Sequence, residues 1–206
     1  DSFYMSSFFA ALFSRMFKKP VVLTQHVEMI AHPTAFVMFI QRLVYATTGA
    51  CIFRLSTRII TLNDRVENFL LARGVEKEKI VALPNGTDQK LFHPVTQGEK
   101  LALKKKYNLS PNKKAVLFVG RFVPKKGFDK LLAAQCDDYQ LVFVGGDLPG
   151  ESNEKVVFLG KLPQLQVAEV YQAADVFVLP SEAEGFPLSV QEAMATGLPI
   201  ITSNDD

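Results

Sequence analysis

The chain has 206 residues, 48% hydrophobic and 21% charged, and its 23 Lys and Arg against 21 Asp and Glu leave a formal net charge of +2. That apolar content excludes intrinsic disorder, and so small a net charge argues against a nucleic-acid-coating role. The length allows one large domain or two small ones at ~100 to 200 residues each, while Cys51 and Cys136, in unrelated segments, suggest neither a disulfide framework nor a zinc site and point to a reducing, cytoplasmic setting.

In chain order, the Phe-rich start from Ser2 to Phe17 is interrupted by Ser6, Ser7, Ser14 and Arg15 and reads as an amphipathic helix rather than a signal peptide. Followed by Lys18-Lys19, it suits peripheral contact with an anionic membrane surface as well as packing on a sheet. No apolar run reaches the ~18 residues of a membrane span. Short apolar runs then recur at Val21 to Thr24, Ile59 to Leu62, Ile80 to Leu83, Ala115 to Val119, Leu141 to Val144, Val156 to Leu159, Val176 to Leu179 and Leu198 to Thr202. Being apolar throughout rather than alternating, they predict strands covered on both faces, as in a parallel sheet. Between them the spacing predicts helices over Thr34 to Phe53, Asp64 to Arg73, Glu99 to Tyr107, Phe128 to Gln135, Leu165 to Ala173 and Pro187 to Ala195. Strands alternating with helices imply βαβ crossovers and doubly wound α/β domains. The Phe92-His93-Pro94 turn sets an expected boundary between a domain over residues 1–94 and another over 95–206.

Ligands of open parallel sheets bind beyond the carboxyl ends of the strands, so the loops that follow strands carry the chemistry. Gly120-Arg121-Phe122-Val123-Pro124-Lys125-Lys126-Gly127 leaves one strand for a helix and places Arg121 near Lys126. A guanidinium and an ammonium there can hold a diphosphate as its charge grows, although the loop alone also fits a solvated basic turn. Neither a P-loop nor a dinucleotide fingerprint is present. The loop from Pro180 to Pro187 carries Glu182 and Glu184 before a helix that contains Glu192. Two carboxylates, Glu184 and Glu192, suit sugar hydroxyls at two distances, and ordinary acids near a helix start are the alternative. Gly145-Gly146 allows close backbone approach by a ligand, or a plain tight turn. His26, after the first strand, is the best placed of the three histidines to act, and a structural role stays open for it.

Taken together, Pro84-Asn85-Gly86-Thr87-Asp88 with Phe92-His93-Pro94, Val119-Gly120-Arg121 with Lys126-Gly127, Gly160 to Tyr171 with Ala174-Asp175 through Ser181, Glu184-Gly185-Phe186, Glu192-Ala193-Met194-Ala195 and Gly197-Leu198-Pro199 resemble the family 4 retaining glycosyltransferases of the GT-B fold. The likeness runs from about Val21 onward. It implies two Rossmann-like, doubly wound parallel-sheet domains facing a cleft, both incomplete in this chain, and transfer of a sugar from a UDP- or GDP-sugar to a glycan, lipid-linked or small-molecule acceptor. By the same resemblance Arg121 and Lys126 contact the donor diphosphate, Glu184 the donor sugar and Glu192 the ribose, in the E-x7-E pattern. His26 reaches the donor sugar, and Gly120, Gly145, Gly185, Phe186, Pro187 and Leu188 complete the donor site. His26, Arg121, Lys126 and Glu184 are the expected catalytic residues.

With no DxD motif, the leaving-group charge falls to Arg121, Lys126 and a helix N-terminus, and neither metal nor cofactor is expected, the nucleotide-sugar being a co-substrate. Asn63 stands where the family often has Ser. The start at Asp1 and the stop after a strand-like run suggest an internal piece of a longer enzyme. A nucleotide-sugar epimerase with a similar cleft and a non-catalytic sugar-nucleotide-binding module are the competing expectations.

Overall fold

The computed structural model describes residues 5–26, 28, 29, 33–147, 150–182 and 186–203. They fall into two units, residues 1–85 and 86–206.

The first unit opens with helix α1 (Met5–Met16) and strand β1 (Val22–Gln25). Helix α2 (Ala35–Val44), a π-helical turn at Tyr45–Gly49 and α3 (Ala50–Leu55) follow without a break, then β2 (Arg58–Thr61), α4 (Asp64–Leu71) and β3 (Ile80–Ala82). The three strands form a parallel sheet in the order β1-β2-β3. Leu23 and Ile59 are buried in it, while Val22 and Val81 are exposed, so in this unit the expectation of strands covered on both faces does not hold. Helix α4 starts where Asn63 Oδ1 accepts the Val66 N–H at 2.9 Å, the capping contact a serine would otherwise supply. Ile52 and Phe53 of α3 are buried, and the Tyr45 ring meets Phe69 edge-on at 5.2 Å.

The helical run from Ala35 to Leu55 is continuous, although no uninterrupted apolar stretch within it reaches the length of a membrane span. It is 21 residues long, with a mean hydropathy of 1.5 over its 18-residue window, sufficient by length and composition. Gln41, Arg42, Thr47 and Thr48 break the apolar string in sequence but not the helix. The Thr47 and Thr48 hydroxyls turn back to the Leu43 and Val44 carbonyls at 2.8 and 3.2 Å, hiding their polarity and accompanying the widened turn.

In the second unit come α5 (Gln97–Lys106), β4 (Lys114–Val119), a 3-10 turn at Pro124–Lys126, α6 (Phe128–Ala133), β5 (Tyr139–Val144), β6 (Val156–Gly160), α7 (Gln164–Ala173), β7 (Val176–Leu179), α8 (Leu188–Ala195) and β8 (Ile200–Thr202). All five strands are parallel, in the order β6-β5-β4-β7-β8. The chain winds outward from β4 through β5 to β6, then returns across β4 to β7 and β8. Between β4 and β7 the winding direction reverses, the crevice where such sheets take ligands. From Gln140 to Val144, β5 is buried, and Phe143 stacks on Phe158 at 5.3 Å and meets Phe128 edge-on at 5.3 Å.

Residues 86–94, expected at the end of the first domain, belong with the second unit. Phe92 is buried against the edge of Tyr171, with ring centroids 5.8 Å apart, and Gln172 Nε2 donates to the Leu91 and His93 carbonyls at 3.3 Å. Thr96 and Glu99 form a reciprocal capping box at the start of α5. That helix is fastened to the sheet by Asp175, whose carboxylate accepts from Lys100 and Lys104 at 2.8 Å and from the Ala115 N–H at 2.8 Å.

Candidate functional site

Three loops leave the carboxyl ends of β4, β5 and β7, and the structure ties them together. The Gly120 N–H donates to the Val144 carbonyl at 2.9 Å, and the Gly145 N–H to the Gly160 carbonyl at 2.8 Å. Gly145, at φ +112°, approaches its neighbour so closely that a Cβ there would lie 2.6 Å from the Gly120 carbonyl oxygen. The close approach that glycine permits at 145 is therefore to Gly120 of the β4 loop. Gly127, at φ +69°, faces Pro180, and a Cβ would run into the Pro180 carbonyl. Beside it the Glu182 N–H donates to the Lys125 carbonyl at 2.8 Å. Backbone contacts thus lock the basic loop after β4 to the acidic loop after β7.

Within the basic loop, the Phe122 ring stacks on Phe128 at 4.9 Å and meets Phe143 edge-on at 6.1 Å, an apolar anchor between the two cations. Arg121 is exposed at the carboxyl end of β4. Half-buried Lys126 closes the 3-10 turn, whose Lys126 N–H donates to the Val123 carbonyl at 2.9 Å. In the acidic loop Glu182 pairs with Lys130 at 2.7 Å, which raises the Lys130 pKa above its ordinary value, so this acid fastens the loop to α6.

Pro187 is the N-cap of α8 and Leu188 its exposed first residue. Ahead of them half-buried Phe186 is held by Gln191, whose Nε2 donates to the Phe186 carbonyl at 3.2 Å. One turn into α8 sits Glu192, half-buried, and burial pushes its carboxyl above the usual carboxylate range. Glu184 and Gly185, singled out by the sequence, lie outside the described residues. His26 is exposed immediately after β1, at the carboxyl end of the first unit's sheet. Of the expected residues, Gly120, Arg121, Lys126 and Gly145 stand on the interlocked loops, and Phe186, Pro187, Leu188 and Glu192 on the segment that opens α8. Among the described residues no three His, Cys, Asp or Glu side chains gather as a metal site would require.

Sequence reasoning gave no individual role to Gln191 or Tyr171. Gln191 is a polar residue between Val190 and Ala193 on a buried face, a signal that could have marked it. Tyr171 is the single aromatic of α7, and its partners come from distant segments.

Two α/β units of this kind, with paired loops at the carboxyl ends of parallel strands, define the GT-B glycosyltransferase fold. Anabaena HepE, solved with UDP, superposes with a TM-score of 0.77 over 97% of this chain and 57% of its own, at 20% identity. A family model described as glycosyl transferases group 1 matches residues 99–206, and the chain belongs to that family. Among curated relatives, the alpha-galactosylglucosyldiacylglycerol synthase of Streptococcus pneumoniae is 27% identical over 164 residues, 72% of this chain and 44% of that protein. The GDP-mannose-dependent alpha-mannosyltransferase of Corynebacterium glutamicum is 37% identical over 121 residues, 56% of this chain and 29% of that protein. The chain therefore spans less than half the length of these curated relatives.

Proposed function

We propose that the chain is part of a metal-independent, retaining glycosyltransferase that moves a sugar from a UDP- or GDP-sugar to a glycan, lipid-linked or small-molecule acceptor. The carrying observation is the interlocked pair of loops at the β4/β7 crevice, with Arg121 and Lys126 on one and the acid-bearing start of α8 on the other. A departing nucleoside diphosphate gains negative charge as the anomeric C–O bond breaks. Arg121 offers a planar fork of donors and Lys126 a compact ammonium to meet it. Glu192 accepts hydrogen bonds from the ribose hydroxyls, and Glu184, with Gly185 and the Phe186 backbone, from the donor sugar.

In a front-face transfer the acceptor oxygen bonds to the anomeric carbon on the side the phosphate leaves, and its proton passes to the departing phosphate oxygen, so no protein nucleophile is required. The relatives' names support the donor class, since one specifies GDP-mannose and the HepE structure holds UDP. The test is a transfer assay with UDP- and GDP-hexoses over an acceptor panel, with the product's anomeric configuration read by proton NMR. The reading predicts nucleotide release that depends on acceptor and a product with the donor's configuration. An inverted product, or release that ignores acceptor, would reject it.

A lipid-linked acceptor at a membrane surface is favoured by the first unit's charge and exposure. Residues 1–63 hold six Lys and Arg against Asp1 and Glu28, a net +4, which leaves −2 on the rest of the chain. Phe9 and Phe13 of α1, Phe17 just after it, and Phe36 and Phe39 of α2 are exposed. At the end of α1, Arg15, Lys18 and Lys19 line a cavity of about 550 Å³ with Leu55 and Thr57. Aromatic residues beside a cluster of cations suit an anionic bilayer, such as the cytoplasmic face of a membrane. Co-sedimentation with phosphatidylglycerol vesicles that is lost in pure phosphatidylcholine and in high salt supports this docking; equal recovery with both lipids, or with neither, rejects it.

A further inference from the structure

Gln191 is a polar side chain, 8% exposed, in a stretch of α8 where Val190 and Ala193 are buried as well. A buried amide is costly unless it finds a partner, and this one does: its Nε2 donates to the Phe186 carbonyl at 3.2 Å. The bond reaches back past the start of the helix. Pro187, the N-cap, offers α8 no side-chain cap, so the usual device for fixing how the chain enters a helix is missing here. In many helices an apolar residue just before the cap packs on the fourth helical residue; here the same two positions, Phe186 and Gln191, are joined by a hydrogen bond instead. Resting on the reading that the Phe186 backbone serves the donor sugar, we propose that Gln191 is a positioning residue that fixes the Phe186-Pro187 peptide and with it the seat of that sugar.

The segment is also held upstream. The Glu182 N–H donates to the Lys125 carbonyl at 2.8 Å, and the Glu182 carboxylate pairs with Lys130 at 2.7 Å. Glu184, the acid read as taking the sugar, therefore stands in sequence between two posts, Glu182 and Phe186, and Gln191 secures the second. Helix α8 itself is seated without that bond: Val190 and Ala193 are buried, the Tyr171 hydroxyl donates to the Ser189 carbonyl at 2.9 Å, and the helix packs against α7, β7 and β8. Glu192 rides on the helix, so the nucleotide end of the site stands without Gln191 while the sugar end leans on it. A backbone that must meet sugar hydroxyls gains from being fixed before the ligand arrives. Gln191→Leu separates the two ends, because an isobutyl group suits a buried position and cannot hold the carbonyl.

The experiment compares the full chain with Gln191→Leu for binding of UDP against UDP-glucose and of GDP against GDP-mannose, with urea unfolding as the control of the fold. The proposal expects Gln191→Leu to bind the sugar nucleotide roughly fivefold more weakly, the worth of about one hydrogen bond, and the bare nucleotide as wild type does. An equal loss for both ligands, or none for either, would mean that the amide serves only the helix and would overturn the proposal. A second readout needs no ligand: a Glu-specific endoprotease should cut between Glu182 and Phe186 several-fold faster in Gln191→Leu at an unchanged urea midpoint, and an unchanged cutting rate overturns the proposal. Glu184→Gln binding the sugar nucleotides as tightly as wild type would instead remove the donor-sugar reading, and the proteolysis would still decide whether Gln191 holds the segment.

Discussion

Asp175 offers a quantitative test of how the second unit is held together. Its side chain is 13% exposed and that of Lys104 6%, and Lys104 Nζ also donates to the Lys113 carbonyl at 3.0 Å. Burial alone would raise the Asp175 pKa; hydrogen bonds from Lys100, Lys104 and the Ala115 N–H overcome it and hold the carboxyl at about 2, against 3.8 unperturbed. A depressed folded-state pKa contributes stability that is complete above the unfolded value and is lost as pH falls toward the folded one. At 1.36 kcal/mol per pKa unit the contribution is roughly 2.5 kcal/mol near neutrality, of which about 2 is lost between pH 5 and pH 2. Asp175→Asn leaves a buried Lys104 without its counter-charge, a change that costs about 3 to 5 kcal/mol. Urea unfolding followed by circular dichroism, since the sequence lacks tryptophan, should show that deficit at pH 7 and a gap to wild type that narrows by about 2 kcal/mol at pH 2. A gap that stays constant across this range, or a deficit under about 1 kcal/mol at pH 7, would refute the reasoning.

Gly127→Ala should cost at least about 2 kcal/mol, from the left-handed backbone and from contact with the Pro180 carbonyl, and should weaken nucleotide binding as the two loops part; unfolding and binding measured together check both effects. Phe143→Ala removes a fully buried ring that meets four other phenylalanines and should cost about 3 to 5 kcal/mol by urea unfolding. Arg121→Ala and Lys126→Ala should each slow transfer by about 2 to 4 kcal/mol of barrier in the steady-state rate, with the unfolding midpoint of exposed Arg121→Ala little changed.

The strands of the described residues were legible in the sequence because parallel strands leave short apolar runs between turn residues, and the structure moves their ends by at most two residues. The loops after β4, β5 and β7 were legible as well, since topology places such loops at one end of a sheet. The contacts between them were not. Gly145 reads equally as a tight turn or a ligand approach until Gly120 is seen beneath it. Asp175 could be quoted as part of a motif, but its partners Lys100 and Lys104 lie some 70 residues earlier on another helix, and no local pattern announces them. The π-helical turn at Tyr45–Gly49 escaped for a related reason: hydroxyl-to-carbonyl bonds made within one helix do not alter the apolar spacing from which helices are read.

The central claim is a nucleotide site that ends on Glu192. Thermal unfolding of the chain, without divalent metal, in the presence of UDP, GDP and ADP tests it most directly, since a ligand at ~100 times its dissociation constant adds ~2.7 kcal/mol of stability. The account predicts a clear rise in midpoint with UDP or GDP that Glu192→Ala abolishes. A folded chain whose midpoint is indifferent to all three nucleotides would contradict it.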